Sequence, residues 1–350
     1  MNSETGLLRI INAAAPIRIC DNGGWTDTWF AGHGKVFNIA VYPYAEVQVR
    51  VRRYREQAPR VTIHAENYGQ RYSPDPARGA YDKHPLLEAA IQYMGVPQDL
   101  AIEVCIYSEA PGGCSTGTSA AVSVALIGAL DWLTPGRMTP HEVAMAAHKI
   151  ETELLGQQCG IQDQIASAYG GVNYIEMFRY PYAAVSPIRV PDSIWWELEA
   201  RLSLIFAGET HVSSQVHKMV IRELEAAGPA ARKLEPLRRT AEKSRDALYA
   251  GDFAALGRAM IENTDAQAAL HPDLVGEHHR RIIEIARAYG ALGWKVNGAG
   301  GAGGSVTILS TADRAAKRAM IREIESENPR YRQIPIFLSR FGVRVWEAPL

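Results

Sequence analysis

The chain has 350 residues, of which 47% are hydrophobic and 21% charged, a composition typical of a globular protein of about two domains. Its 37 basic and 38 acidic residues give a formal net charge of −1, which argues against nucleic acid or an anionic membrane as a partner. The four cysteines have no CxxC spacing, and neither a charged and apolar leader nor a long apolar run occurs. We therefore expect a cytoplasmic protein with reduced thiols, no zinc site and no membrane span.

Alternating and helical patterns follow one another in the first half of the chain. β-Branched residues in alternation predict strands over residues 7–18, 35–53, 61–64 and 100–107. Apolar residues at helical spacing predict helices over residues 86–94, 119–133, 140–155 and 160–169. A proline-punctuated, strand-rich stretch follows, and this shift in composition predicts a domain boundary near residue 190.

Long helical patterns dominate the second half. The predicted helices cover residues 213–225, 230–250, 253–270, 274–289 and 312–325. The predicted strands cover residues 201–207, 306–309, 334–338 and 343–346. Because strands and helices mix without a regular βαβ rhythm, we predict an α+β fold with domains at residues 1–190 and 191–350.

The segment EAPGGCSTGTSAA, residues 109–121, combines a turn rich in glycine and hydroxyl groups with a following helix. Small residues at Gly112, Gly113, Ser115 and Gly117 let backbone N–H groups approach an anion, and the helix N-terminus would face it. The segment lacks the lysine of a Walker loop. A phosphate-binding loop and a flexible turn before a core helix both fit this pattern taken alone.

Two further segments carry related patterns. The run NGAGGAGGS, residues 297–305, precedes a predicted strand and fits either a second anion loop or a hairpin region. In APIRICDNGGWTDT, residues 15–28, Arg18 and Asp27 flank a tight turn and could reach one small ligand. An aspartate can accept hydrogen bonds from polyol hydroxyls, and Trp25 could cover a sugar ring; an Asx-type turn with a packed tryptophan fits equally well.

Together these segments resemble the signatures of the GHMP kinase superfamily in their order and spacing. Residues 111–121 are similar to its central signature PxGxGLGSSAA, APIR with GGWTD to its N-terminal sugar-kinase signature, and residues 295–305 to its third motif. FNIAVYPYA, GIQDQIASAYGGVNYIE and KVNGAGGAGG resemble most closely the D-glycero-D-manno-heptose 7-phosphate kinase group, with galactokinase-like features. The resemblance implies a two-domain fold, with an N-terminal domain like ribosomal protein S5 domain 2 and a ferredoxin-like C-terminal α/β domain.

The resemblance also implies ATP and Mg²⁺ as cofactors and assigns roles to residues. Asp163 would be the catalytic base, Arg18 would stabilise the transition state, and Mg²⁺ would be held by Ser119 and Glu151. The implied ATP-phosphate loop consists of Pro111, Gly112, Gly113, Cys114, Ser115, Thr116, Gly117, Thr118 and Ser119. The implied sugar contacts are Trp25, Thr26, Asp27, Gln162, Gly300 and Gly301.

The chain departs from the family pattern at three positions. Ser115 replaces a glycine and Thr118 a serine of the central signature, and Trp25 stands where heptose kinases tend to have a third glycine. We expect the tryptophan ring to narrow or reshape the sugar pocket. Lys295, before the third motif, fits either a phosphate contact or a charge at the end of a strand.

The resemblance implies phosphorylation of a sugar hydroxyl, expected to be the anomeric one, of a heptose, its 7-phosphate or a related sugar. Kinases for a hexose, pentose, uronate or amino alcohol are alternatives of the same fold. One alternative of another class is an inactive nucleotide or sugar sensor, but the presence of Arg18, Glu151 and Asp163 argues against it. Another is a nucleic-acid-binding protein, and the balanced charge argues against that.

Overall fold

The structure is a computed structural model that describes residues 6–74, 81–208 and 215–350. The strands in these ranges are β1 (Leu7–Asn22), β2 (Gly34–Arg53), β3 (Val61–Ala65), β4 (Gln70–Tyr72), β5 (Leu100–Ser108), β6 (Val172–Arg179), β7 (Tyr182–Ile188), β8 (Leu202–Phe206), β9 (Gly293–Val296), β10 (Ser305–Leu309), β11 (Arg332–Ile334) and β12 (Arg344–Glu347). The α-helices are α1 (Pro85–Met94), α2 (Thr118–Asp131), α3 (Pro140–Lys149), α4 (Gln162–Tyr169), α5 (Asp192–Arg201), α6 (Gln215–Ala227), α7 (Glu235–Tyr249), α8 (Phe253–Leu270), α9 (Glu277–Ala288) and α10 (Arg314–Glu327). The predicted α+β class is confirmed.

The strands form two sheets. The larger sheet has the order β12, β1, β2, β5, β3, β4, and β6 and β7 extend it beside the first part of β2. Its described pairings are antiparallel except for β3 beside β5. The smaller, antiparallel sheet has the order β11, β8, β10, β9. Because β12 pairs with β1, the end of the chain returns to the sheet that the first half builds, and the boundary near residue 190 stays a prediction.

Helix α2 lies at the centre of the first half. Its residues are mostly small or apolar, and those from 123 to 130 are all buried against the larger sheet and neighbouring helices. Gly128 approaches the C-terminal segment so closely that a Cβ there would lie 2.9 Å from Val343 Cγ2. Because α2 is packed on all sides, it holds its first turn and the glycine-rich loop before it in a fixed position.

Several elements differ in extent from the sequence prediction; β1, for example, continues past residue 18 to Asn22. The predicted helix 140–155 is α-helical only to Lys149 and continues as one π-helical turn, Ile150–Leu154. The predicted helix 230–250 begins as α7 at Glu235, because Pro236 suits the first turn, where its missing N–H has no helical partner to lose. The predicted strand 334–338 ends at Ile334, since Pro335 cannot donate to a strand ladder.

Some elements were not predicted at all. The strands β4 and β9 are only 3 and 4 residues long, which is too short for a period to emerge, and α5 has a mixed aromatic and charged sequence. Residues 213 and 214 of the predicted helix 213–225 lie outside the described residues, and α6 begins at Gln215. No helix among the described residues is long and apolar enough to cross a membrane.

Candidate active site

The glycine-rich loop of residues 111–119 joins β5 to α2 and adopts a left-handed backbone at three places. Gly113, Ser115 and Gly117 have φ values of 74°, 59° and 71°. At Ser115 a side chain occupies this conformation, which costs about 1–2 kcal/mol relative to glycine. Helix α2 begins directly after Gly117 without a side-chain cap, so its first N–H groups are available to an anion.

The third motif packs against this loop from the other half of the chain. Ser305 Oγ donates to the Cys114 carbonyl over 2.7 Å. A Cβ on Gly298 would lie 3.0 Å from the Ser115 carbonyl oxygen, and one on Gly304 would lie 2.6 Å from Ser115 Oγ. The hydrogen bond and the close approach of Gly298 and Gly304 hold Ser115 in its left-handed conformation. They thereby offset the strain of its backbone.

A cavity of about 920 Å³ opens in front of the loop. All nine residues of the predicted phosphate loop line it, together with the end of β5 and the start of α1. Arg18, Asp163 and Gly298 also line it, and Arg332 contributes from the smaller sheet. The cavity is thus large enough for a nucleotide and meets the helix N-terminus that would bind its phosphates.

Arg18 and Asp163 form the central ion pair of the site. Arg18 Nε and Nη2 donate to the two carboxylate oxygens of Asp163 over 2.8 and 3.2 Å, and Nη1 donates to the Ser115 carbonyl. Burial alone would lower the pKa of Arg18, but Asp163 and Asp21 outweigh it and raise the pKa. The two parallel hydrogen bonds fix the planes of the guanidinium and the carboxylate relative to each other. The Asp163 side chain nevertheless remains 30% exposed.

A second cavity, of about 230 Å³, lies on the other side of this pair. Both cavities are lined by Arg18, Ser119, Asp163, Gly298 and Ala299. Four carboxylates face the smaller one, namely Asp21, Asp27, Glu151 and Asp163, and its remaining walls include four aromatic or imidazole rings, Trp25, Trp29, Phe30 and His217. Asp163 is therefore placed where a nucleotide in one cavity would meet a small molecule in the other.

Asp27 is held deep in the smaller cavity by the start of α4. Its Oδ2 accepts a hydrogen bond from the backbone N–H of Gln162 over 3.0 Å, and only 3% of the residue is exposed. Burial raises the pKa of Asp27 to about 6. Glycine is required at position 160, because a Cβ there would overlap Asp27 Oδ2 and lie 2.7 Å from its Cγ.

This raised pKa predicts how stability depends on pH. Between about pH 4 and pH 6 the folded state holds a proton on Asp27 that the unfolded chain, with its ordinary pKa of 3.8, releases. The contribution of Asp27 to the free energy of unfolding should therefore fall with rising pH, by at most roughly 3 kcal/mol. Urea unfolding across this range should show Asp27→Asn gaining stability relative to the wild type as pH rises; a constant difference would contradict the assignment.

Glu151 lies in the π-helical turn that continues α3. It is 5% exposed, whereas Glu153 in the same turn is exposed and pairs with Lys149 over 3.7 Å. Burial raises the pKa of Glu151 to about 7, only partly offset by the hydrogen bond that Gln164 Nε2 donates over 2.9 Å. A buried carboxylate with one neutral partner, near the hydroxyl-bearing Ser119, fits a hard divalent cation such as Mg²⁺.

A buried ion pair behind the smaller cavity escaped the sequence analysis. Lys295 Nζ lies 3.3 Å from Asp21 Oδ1, with both side chains 1% exposed, and the Gly298 N–H donates to Asp21 over 3.1 Å. Burial lowers the pKa of Lys295; for Asp21, Lys295 and Arg18 overcome burial and lower the pKa. Lys295 thus anchors the third motif to β1. It lines neither cavity and is buried, so it is neither the phosphate contact nor the strand-end charge that the sequence suggested, and its partner Asp21 was not predicted.

Three residues assigned to the sugar lie away from both cavities. The hydroxyl of Thr26 is buried and donates to the Gly23 carbonyl over 2.7 Å, which ties the turn together. Gly300 packs against the backbone of Leu274, and the Gly301 N–H donates to the Leu274 carbonyl over 2.9 Å. In their place Gly298 and Ala299 line the site.

The remaining predicted sugar contacts, Trp25, Asp27 and Gln162, do line the smaller cavity. Trp25 has φ 74° and stacks on His217 of α6, with ring centroids 5.3 Å apart and planes 15° apart. The stack closes one wall of the cavity. His217 was not predicted to line the site, because its stacking partner Trp25 lies far away along the chain.

Two sheets, a glycine-rich loop before a helix without a side-chain cap, and the partly exposed Asp163 between two cavities are features of a small-molecule kinase. Two family models match the chain: residues 84–171 match the GHMP kinases N terminal domain, and residues 244–328 match GHMP kinases C terminal. The chain belongs to the GHMP kinase superfamily, whose members are ATP-dependent phosphotransferases with an alcohol group as acceptor.

The similar proteins include kinases for different acceptors. A D-glycero-alpha-D-manno-heptose 7-phosphate kinase of Campylobacter jejuni is 27% identical over 248 residues, 71% of either chain. A mevalonate kinase of Pyrococcus furiosus is 27% identical over 260 residues, 72% of this chain and 71% of its own. The crystal structure of a D-glycero-D-manno-heptose 1-phosphate kinase from Bacteriodes thetaiotaomicron superposes with a TM-score of 0.73 at 21% identity, covering 97% of this chain and 100% of its own. This last likeness shows the fold alone.

Proposed function

We propose that this kinase transfers the γ-phosphate of ATP to a hydroxyl group of a sugar, with Mg²⁺ as the cofactor. The observation that carries the proposal is the position of the Arg18–Asp163 pair between a nucleotide-sized cavity and a small one lined by carboxylates and aromatic rings. Carboxylates accept hydrogen bonds from sugar hydroxyls, and aromatic rings cover the apolar faces of sugar rings.

In this proposal Asp163 is the general base. A sugar hydroxyl entering from the smaller cavity transfers its proton to an Asp163 oxygen as its own oxygen attacks the γ-phosphorus, and ADP leaves. Arg18 holds the carboxylate in position and places a positive charge beside the oxygen that becomes negative. Both residues are positioned before substrate binds, because the guanidinium is also tied to the Ser115 carbonyl.

The phosphate loop and the acidic wall supply the remaining parts. The N–H groups of residues 111–119 and the N-terminus of α2 would bind the ATP phosphates. Ser119 and Glu151 would hold Mg²⁺, which neutralises phosphate charge when it is bound. The pKa of Glu151, raised by burial, supports this role, because a nearby cation would restore the charged form that burial disfavours.

For the acceptor we propose the anomeric hydroxyl of a heptose or a related sugar. The named heptose 7-phosphate kinase and the residues GIQDQIASAYGG around Asp163 support a sugar. A hexose, pentose or uronate is the alternative within the same class, and the similar mevalonate kinase makes a non-sugar alcohol a further one. An inactive sensor is disfavoured, since Arg18, Glu151 and Asp163 all converge on the site.

One assay tests this proposal. The enzyme with ATP and Mg²⁺ is offered free sugars, uronates, homoserine and mevalonate, and ADP release is coupled to a spectrophotometric readout. We expect turnover with at least one sugar and none with homoserine or mevalonate, and phosphorus NMR should place the new phosphate on the anomeric carbon. Turnover confined to mevalonate or homoserine would contradict the sugar assignment while leaving the kinase class intact.

A further inference from the structure

The smaller cavity carries further information on its ligand, in its charges and in its unpaired polar atoms. We propose that this kinase acts on a free, uncharged monosaccharide and excludes sugars that carry a distal phosphate. This inference rests on the sugar kinase function proposed above and narrows its substrate class. The similar Campylobacter jejuni enzyme is named for a phosphorylated sugar, so an assay can distinguish the substrate proposed here from that one.

The charges of the cavity disfavour an anionic ligand. Its described walls contain four carboxylates and a single lysine or arginine side chain, that of Arg18. All three nitrogens of that guanidinium already donate, two to Asp163 and one to the Ser115 carbonyl. Lys295, behind the wall, is committed to Asp21. Asp21 and Asp163 are thus paired with cations, whereas Asp27 and Glu151 have no cationic partner among the described residues. With Glu151 on Mg²⁺, a second phosphate on the sugar would still meet Asp27, and both cations near the described lining are already paired.

The neighbouring cations on α6 do not change this balance. His217 and Ile221 line the cavity, whereas Lys218 and Arg222 are exposed. Adjacent positions of a helix do not share a face, so these two charges point away from the face that lines the site. The segment 209–214 lies outside the described residues, and its sequence ETHVSS contains neither lysine nor arginine.

The unpaired polar atoms favour hydroxyl groups. Gln162 and Gln164 line the cavity, and each directs its amide nitrogen to a carboxylate, Asp21 at 3.5 Å and Glu151 at 2.9 Å. These contacts fix the amide orientation and leave both Oε1 atoms buried without a hydrogen-bond partner among the described residues. These amide oxygens and the neighbouring carboxylates accept, so this part of the cavity needs donors, and Trp25 Nε1 can donate to a hydroxyl oxygen. Sugar hydroxyls donate, whereas an ionised phosphate only accepts.

The size of the cavity fits one monosaccharide. Its volume of about 230 Å³ is a quarter of that of the neighbouring cavity, and the Trp25–His217 stack forms part of its wall. Trp25 keeps a bulky ring at φ 74°, and its Nε1 is a buried donor without a partner among the described residues. A strained backbone that presents a ring and one free donor to a cavity is typical of a ligand wall.

Matched pairs of substrates test the inference. We would measure kcat/KM for mannose and its 6-phosphate, galactose and its 6-phosphate, and D-glycero-D-manno-heptose and its 7-phosphate. We expect the free sugar of each accepted pair to be preferred by about 100-fold or more, because like charges would otherwise be brought together. Equal or better turnover of a sugar phosphate would overturn the inference and leave the proposed function standing. Failure of every sugar, with ATP still bound, would overturn both.

A variant that adds a cation provides the second arm. Ile221→Arg places a positive charge on the α6 wall, and Ile221→Gln is the matched control that adds polarity without charge. We expect Arg, and not Gln, to reduce the preference for the free sugar by about tenfold. If both variants change the preference equally, the cavity does not discriminate by charge. Should either variant fail to fold, the ratio measured for the wild-type enzyme decides by itself.

Discussion

Replacing Asp163 by Asn should lower kcat for sugar phosphorylation by about 10²–10⁴-fold while leaving ATP affinity nearly unchanged. Asparagine keeps the shape of the side chain but cannot take the hydroxyl proton. It can still accept the hydrogen bond that Arg18 Nε donates to Asp163 over 2.8 Å. The phosphate loop is also held by the hydrogen bond from Ser305 Oγ to the Cys114 carbonyl, so nucleotide binding should survive. Steady-state ADP release together with fluorescent-ATP titration would measure both quantities.

A carboxylate outside the site provides the control for this change. Glu153 is exposed, and Glu153→Gln removes one charge two residues from Glu151. Turnover of this variant should equal that of the wild type. The melting temperature of Asp163→Asn must also be measured, because Arg18 loses its charged partner. A folded Asp163→Asn enzyme that works at the wild-type rate would remove Asp163 from the role of base.

Replacing Gly160 by Ala should raise KM for the sugar and lower kcat/KM by about 100-fold, with KM for ATP unchanged. A Cβ at this position would overlap Asp27 Oδ2, so the carboxylate must leave the position that the Gln162 N–H fixes. Asp27 lines only the smaller cavity. The loss should therefore concern the sugar and spare the nucleotide, which separate titrations of the two substrates would reveal.

Gly156 provides a matched control in the same connection between α3 and α4. Its φ is 62°, and a Cβ there meets no atom within 4 Å. Gly156→Ala therefore strains the loop backbone without touching Asp27, and both KM values should stay near those of the wild type. If the two variants lose activity alike, general damage to the loop explains the effect, and Asp27 has no special role toward the sugar.

Local patterns predicted much of this protein because the motifs are short and continuous. The turn at residues 111–119 followed by an apolar helix was recognisable from glycines, hydroxyl residues and helical spacing, and all nine loop residues line the larger cavity. Asp27 and Gln162 were also predicted, and they form a hydrogen bond. Local patterns did not predict which way a side chain points. Thr26 adjoins Asp27, yet its hydroxyl donates to the Gly23 carbonyl within the turn and does not face the cavity.

The sequence by itself determined the α+β class, the family and the set of candidate residues, since each depends on periodicity or on motifs of a few adjacent positions. Only the tertiary structure decided which of these side chains meet. Arg18 pairs with Asp163 across 145 positions, and Asp21 meets Lys295 from the other half of the chain. The physical reason is that burial, ion pairing and cavity walls arise between distant segments, and no local pattern records which distant residue completes them.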